Sequence, residues 1–297
     1  MNKHLSNFIF KIYRIIGRLL IKYSFNSRPS SLPFITGDGF RNIADYIFDD
    51  TLKNVVPEKV KEGQIIFVGD SNIKRYFREI HNLIKVKYII ITHNGDEFVD
   101  KDIIKMMDEK IIHWYGINID ICNDLVTPLP IGIGNKHFFV TGIPLIFKRV
   151  ILKNYFKKNK IFYLFTVATN RTERENALEC LKKNYFAETI DKMINFNEYL
   201  HLSSKYKFIA SPPGSCVEGH RTWEAIYTKS IPIVKRSITT EYFEKIGLPI
   251  WVINDWSEID QFDETGLAKK YDEIMTSSDL TAIYIDYWFD KIYKSKL

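Results

Sequence analysis

Arg221 and Glu224 stand three residues apart in a run whose residue types suit an anionic ligand that also carries hydroxyl groups. Residues 208–227 read FIASPPGSCVEGHRTWEAIY, an apolar strand, then a Pro/Gly/Ser loop, then a helix that begins near His220. Main-chain amides of Gly214, Ser215 and the first helical turn can face an anion there. Ser211 and His220 bracket the loop and belong to the same candidate ligand-binding set. Arg221 adds a planar cation of the geometry that suits a phosphate or pyrophosphate. Glu224, one turn along the same face, can accept hydrogen bonds from the two hydroxyls of a ribose. The plainer alternative is an Arg221–Glu224 ion pair within the helix, stabilising by roughly a few tenths of a kcal/mol. A second phosphate contact is offered by Asn170 and Arg171, which follow a predicted strand at 161–167. Arg171 equally reads as a solvated residue at a helix start, and Arg174 is expected at the surface.

The elements that must position these residues alternate in a βα pattern. Apolar runs at 65–68, 88–92, 111–114 and 130–133 predict strands, and residues 72–84 and 102–109 predict helices between them. A lysine-rich segment at 153–160 precedes the strong strand at 161–167, and the domain boundary is placed there. The second half repeats the alternation: helix 173–184, strand 207–211, helix 220–227, strands 231–235 and 249–253, then helices 263–276 and 279–293. The expected fold class is α/β, two Rossmann-like domains with parallel sheets facing a central cleft. Residues 27–156 would form an acceptor-side domain and 157–297 the ligand-binding domain, with the last helix able to pack back on the first. No short-period repeat or low-complexity tract is visible.

The chain resembles the exostosin family of glycosyltransferases, in the short form found in microbes and viruses. The resemblance is carried by Ser211-Pro212-Pro213-Gly214, His220-Arg221-Thr222-Trp223-Glu224-Ala225, Ile231-Pro232-Ile233-Val234, Leu248-Pro249-Ile250 and Asp255-Trp256. Upstream, Ile91-Thr92-His93-Asn94-Gly95-Asp96 and Pro128-Leu129-Pro130-Ile131-Gly132-Ile133 also match, so it covers roughly residues 60 to 260. It implies a GT-B arrangement, inverting transfer from a nucleotide sugar, expected to be UDP-linked, and donor contacts at Arg221 and Glu224. The resemblance is to a form expected to lack the second catalytic domain and lumenal anchor of the animal heparan polymerases, so heparan-type substrates are not the expectation. A glycan or lipid-linked acceptor in surface polysaccharide or glycan synthesis follows as the expectation.

Inverting transfer requires a base for the acceptor hydroxyl. Asp96 and His93 are favoured, with Asp70 and Asp38 as further candidates; each also reads as a turn former or helix cap. Asp100-Lys101-Asp102 opens a helix and reads as capping, so no metal and no cofactor beyond the sugar donor are expected. The competing enzyme class comes from Phe67-Val68-Gly69-Asp70-Ser71-Asn72, which resembles the first block of SGNH-type hydrolases with Ser71 as nucleophile. That chemistry needs an Asp-x-x-His, and none of the 7 histidines has Asp three positions before it. Ser71 is instead expected to cap the helix beginning near Asn72. A catalytically silent nucleotide-sugar-binding protein is the third possibility.

Composition bounds the rest. Lys plus Arg exceed Asp plus Glu by 42 to 36, an excess spread along the chain that suits anionic ligands and does not imply nucleic acid. Cys122, Cys180 and Cys216 form neither a disulfide framework nor a zinc site, and a reducing, cytoplasmic setting is expected. In residues 1–26, cations at 11, 14, 18 and 22 interrupt an otherwise apolar run. The pattern is a basic amphipathic helix, read either as packed on the protein or, for residues 1–24, as a contact with an anionic membrane surface. It is too interrupted for a span of roughly 20 apolar residues.

Overall fold

The computed structural model describes residues 28–296 and, ahead of them, Ile12, Ile15, Ile16 and Leu19, which are helical and exposed. The remainder of the basic amphipathic helix lies outside the described residues.

The chain divides into two compact units. One is the described part of Tyr13–Gly142 with Tyr284–Leu297, and the other is Ile143–Ile283. In the first, helix α1 (Gly37–Asn42) precedes strand β1 (Tyr46–Phe48), and β2 (Ile65–Gly69) leads into helix α2 (Ile73–Glu79). Strands β3 (Tyr88–His93), β4 (Ile111–Gly116) and β5 (Val126–Pro128) complete a parallel five-stranded sheet in the order β1-β2-β3-β4-β5. In the second unit helix α3 (Pro144–Leu152) is followed by β6 (Lys158–Phe162), α4 (Arg171–Lys183), β7 (Ala187–Glu188), α5 (Phe196–Ser203) and β8 (Tyr206–Ala210). Then come α6 (His220–Tyr227), β9 (Ile231–Lys235), α7 (Ile238–Lys245), β10 (Trp251–Ile253) and α8 (Glu264–Ser277). This sheet is also parallel and five-stranded, in the order β10-β9-β8-β6-β7. The last helix, α9 (Ile285–Lys294), belongs to the first unit: the Ile285 N–H donates to Pro33 O at 3.1 Å, and Phe40 meets Phe289 edge to face.

The structure is α/β with two parallel sheets, as the βα alternation predicts. Strands β2 and β3 are buried along their whole length, which is why they read as continuous β-branched runs and not as alternating ones. Several elements differ from expectation. The apolar run 130–133 is a loop, not a strand: Gly132 takes φ +68°, and a Cβ there would fall 2.1 Å from Ile35 O. Residues 102–109 contain only a 3₁₀ turn, Ile104–Met106. Strand β6 starts at Lys158 inside the lysine-rich segment, because Glu188 at the end of β7 neutralises Lys158 and Lys160 at 2.8 and 2.6 Å. The division between units falls after Gly142, ahead of the expected 156/157 boundary, since Phe147 of α3 packs on Phe196 and Tyr227.

The two sheets differ in winding. The first runs in chain order throughout. The second reverses direction between β6 and β8: the chain steps outward from β6 to β7, then returns past β6 to β8 and continues to β9 and β10. In a parallel sheet such a switch point splays the loops at the carboxyl ends of its two strands and leaves a crevice there.

Candidate functional site

A pocket of about 510 Å³ occupies that crevice. It is lined by residues 164–166 after β6, residues 190–195 after β7, Phe196 and Tyr199 of α5, and Arg221 and Glu224 of α6. A larger depression of about 830 Å³ runs along the solvent side of α8 from Thr265 to Ser277, and no buried side chain lines it. The smaller pocket is the chemically equipped one.

Helix α6 buries residues 222–227 against the sheet, so the turn that presents Arg221 and Glu224 is rigidly backed. Glu224 is 7% exposed, and its carboxyl has no hydrogen bond or ion pair among the described residues. Burial pushes its pKa up to about 7, against the opposing pull of the Arg221 charge. The Arg221 guanidinium lies 5.9 Å from the Tyr199 ring centroid, and its Nε is buried without a partner. The intrahelical ion pair that sequence spacing allows is therefore not made. Both charges keep unused hydrogen-bonding capacity at the wall of one pocket, and native interiors rarely leave buried groups so without a functional or solvent explanation.

The loop between β8 and α6 is held from behind. Arg174, 8% exposed, donates from Nη1 to Thr166 O at 2.7 Å, from Nε to Pro213 O at 2.9 Å and from Nη2 to Pro212 O at 3.3 Å. This corrects its expected surface location: three main-chain carbonyls, aligned by the Pro-Pro turn, satisfy the buried guanidinium. Gly214 is required by the same brace, since a Cβ would meet Arg174 Nη2 at 2.8 Å. The Gly214 N–H donates to Cys216 O at 3.1 Å and so is not free for an anion. Asn170 accepts from the Glu173 N–H, capping α4, and its Nδ2 donates to Gly214 O at 3.2 Å. The Ser211 hydroxyl pairs with that of Thr222 at 2.9 Å. Ser215 and His220 are exposed, and Arg171, 80% exposed, pairs with Glu175 at 3.5 Å. Of the expected ligand set, Arg221 and Glu224 line the pocket, while Ser211, Gly214 and Asn170 shape the loop. Tyr199 and Arg174 escaped sequence reasoning because their roles depend on contacts across 22 and about 40 residues of chain, respectively.

In the first unit, residues from the chain before β1 join residues that follow β1, β3 and β5 in a polar network at the carboxyl edge of the sheet. Asp38, fully buried, accepts from Arg28 Nη1 at 3.1 Å and Asn94 Nδ2 at 3.3 Å, and its second oxygen is hydrogen-bonded to His137 Nδ1. Asn135 accepts from the Asp38 N–H and donates to Asn94 Oδ1, both at 2.9 Å. Asp49 pairs with Arg41 at 2.8 Å and Arg28 at 3.6 Å. The second ring nitrogen of His137, Nε2, has no hydrogen-bond partner among the described residues. His137 was not anticipated; its partner Asp38 lies 99 positions away.

The other sequence candidates sit differently. His93 is fully engaged: Nδ1 accepts the Asn94 N–H at 2.8 Å, which leaves Nε2 as the donor to Pro130 O at 3.2 Å. Asp96 is exposed. Asp70, 1% exposed, has two carboxyl oxygens without partners, and burial, then Asp96 and Glu97, raise its pKa well above the ordinary range. Ser71 is exposed, touches only the Asn72 side chain, and does not cap: neither the 3₁₀ turn Asp70–Asn72 nor α2 has a side-chain cap. Its expected capping role is corrected on that ground. Among the described residues, no three His, Cys, Asp or Glu side chains gather as a metal-binding group, and no helix is long and apolar enough to cross a membrane.

No protein-family model matches this sequence, and no curated protein sequence matches it. Solved structures similar to it include TarM, at 12% identity and a TM-score of 0.39 over 80% of this chain and 56% of that one. This chain thus spans little more than half the length of TarM. The spinosyn rhamnosyltransferase SpnG, complexed with thymidine diphosphate, is similar at 8% identity and a TM-score of 0.36, over 78% of this chain and 69% of that one. The UDP-GlcNAc 2-epimerase of Methanocaldococcus jannaschii, in complex with UDP-GlcNAc and UDP, is similar at 11% identity and a TM-score of 0.33, over 76% and 75%.

Proposed function

We propose that the pocket at the β6/β8 switch point holds a nucleotide-sugar donor and that the protein is an inverting glycosyltransferase acting on a glycan or lipid-linked acceptor. The observation that carries this reading is that Arg221 and Glu224 line that pocket without an ion pair to each other or to any described residue. A diphosphate supplies the anion that Arg221 lacks, and ribose hydroxyls supply the donors that Glu224 lacks. The exostosin-like segments fall on the same helix and the loop before it.

In the reaction, an acceptor hydroxyl oxygen bonds to the anomeric carbon as the bond from that carbon to the diphosphate oxygen breaks. The bonding pair leaves with the nucleotide, where Arg221 offsets the growing negative charge. The hydroxyl proton needs a base. Asp96 is the solvated candidate, burial raises the Asp70 pKa well above the ordinary range, and His93 has both ring nitrogens occupied. We propose Asp96 as the base, because it is the exposed carboxylate among the candidates. The hydrolase alternative loses support, since Ser71 has no histidine partner among the described residues.

Titration of UDP without added metal against wild type, Arg221→Ala and Glu224→Gln tests the donor site. Each variant should lose about 1 to 3 kcal/mol of nucleotide binding at matched thermal stability, the range for hydrogen bonds to charged groups. Identical binding by all three removes the donor assignment. Asp96→Asn should bind nucleotide normally yet lose roughly 10²- to 10⁴-fold in transfer. Unchanged transfer would remove Asp96 as the base. Donor binding without any turnover by wild type would favour the silent binding protein.

A further inference from the structure

The exposed face of α3 bears an apolar stripe with uncompensated cations on both sides. Leu145 and Leu152 are seven residues apart and lie within about 20° of each other around the helix. Leu152 is 84% exposed, and Phe156, just beyond the helix end, is 93% exposed. Measured from Leu145, Lys148 projects about 60° to one side and Arg149 about 40° to the other. Phe147 and Val150 point inward and are buried, so the helix is anchored by one face while it presents the other. Lys153 follows the helix, and Lys153 and Lys205 both approach the Tyr155 ring, at 6.0 and 5.4 Å. None of Lys148, Arg149, Lys153 and Lys205 has an ion-pair partner among the described residues, and residues 143–160 contain no Asp or Glu.

A stripe that only interrupted the surface would be expected to carry mixed charges, as soluble faces do. Here the apolar side chains are flanked by one sign of charge. The combination fits a surface that is apolar inside and anionic at its rim, which is a bilayer with acidic headgroups. We propose that α3 and Phe156 form a docking surface for anionic lipid: Leu145, Leu152 and Phe156 enter the headgroup boundary while Lys148, Arg149 and Lys153 pair with lipid phosphates and carboxylates. This surface is distinct from residues 1–24 and independent of the donor assignment. Neither a free phosphate nor a second copy of this chain supplies both the apolar depth and the acidic rim.

Flotation of the full chain with vesicles of phosphatidylcholine alone, and with roughly one-third phosphatidylserine added, provides the test. Wild type should float with the acidic vesicles, fall off as salt is raised, and stay behind with the neutral ones. The Leu152→Glu/Phe156→Glu double variant should lose binding on the order of tenfold or more. Lys148→Glu/Lys153→Glu should weaken binding at low salt and bring it closer to the high-salt level of wild type. Both pairs change exposed side chains, so unchanged thermal stability and UDP binding confirm a folded protein. Double variants that float like wild type overturn the proposal, as does wild type that fails to float on acidic vesicles. Sedimentation showing that the apolar variant converts a dimer to a monomer, without any vesicle binding by wild type, would assign the stripe to self-association.

Discussion

The two parallel sheets use their carboxyl edges in opposite ways. The first, wound in chain order, carries Asp38, Asp49, Arg28, Arg41, Asn94 and Asn135 in a network where each charge meets an opposite charge, Arg28 Nε alone lacking a partner within it. The second reverses at β6/β8, and the charges brought to its crevice, Arg221 and Glu224, are left without each other. Paired buried charges hold loops in place, because removing one partner strands the other in low dielectric. Unpaired buried charges instead weaken the free fold, and their presence beside a pocket marks where a ligand completes the set. Asp70 breaks the pattern of the first sheet, as a buried carboxyl with no partner at all.

The largest expected effect follows from the paired side. Arg41→Ala leaves Asp49 buried with a weaker Arg28 contact at 3.6 Å, and should cost about 3 to 5 kcal/mol in urea denaturation. Arg221→Ala breaks no ion pair and only removes the charge that opposes the burial of Glu224, so it should cost the fold less. Equal costs at the two sites would erase the contrast between the sheets.

Glu224 sharpens it through pH. The unfolded chain releases this proton near the ordinary value of 4.5, while the folded carboxyl holds it to about 7. Its contribution to stability is therefore whole below 4.5 and is lost as pH rises through 7. Relative to wild type, Glu224→Gln should gain stability across that window in thermal melts from pH 4 to 8. Because ribose hydroxyls favour the ionised form, UDP affinity should climb over the same interval in wild type more than in the variant. A parallel pH profile in both proteins would mean that Glu224 does not meet the nucleotide.

Asp70→Asn should stabilise the protein, more at pH 8 than at pH 5, since burial raises this carboxyl and its stabilising contribution likewise fades as pH rises. Transfer activity should survive. A stabilised variant that has lost transfer would instead restore Asp70 as the base. Ser71→Ala should be smallest, within about 0.5 kcal/mol, as expected of an exposed side chain with no capping bond; a cost above that range would mean the hydroxyl does more than touch Asn72.

Much of the architecture was legible because it is local. Continuous apolar runs become buried parallel strands, as at 65–69 and 88–93, and helix α6 begins where the Gly/Ser-rich loop ends. Legibility failed where a distant residue decides: Pro130 to Ile133 is apolar yet is a loop, because the Ile133 N–H donates to Ile35 O and not to a neighbouring strand. The lysines at 158 and 160 enter a strand because Glu188 is there to meet them.

What the sequence by itself determined was the α/β alternation and the presence of Arg221 and Glu224 one turn apart on a helix after a Pro/Gly loop. Only the tertiary structure decided that they do not pair, that Arg174 rather than a main-chain amide of Gly214 occupies the space behind the loop, and that Asp38 reaches His137. Spacing along one helix sets which side chains share a face, but the carbonyls, rings and carboxylates that surround each charge come from other strands, and their burial sets its ionisation.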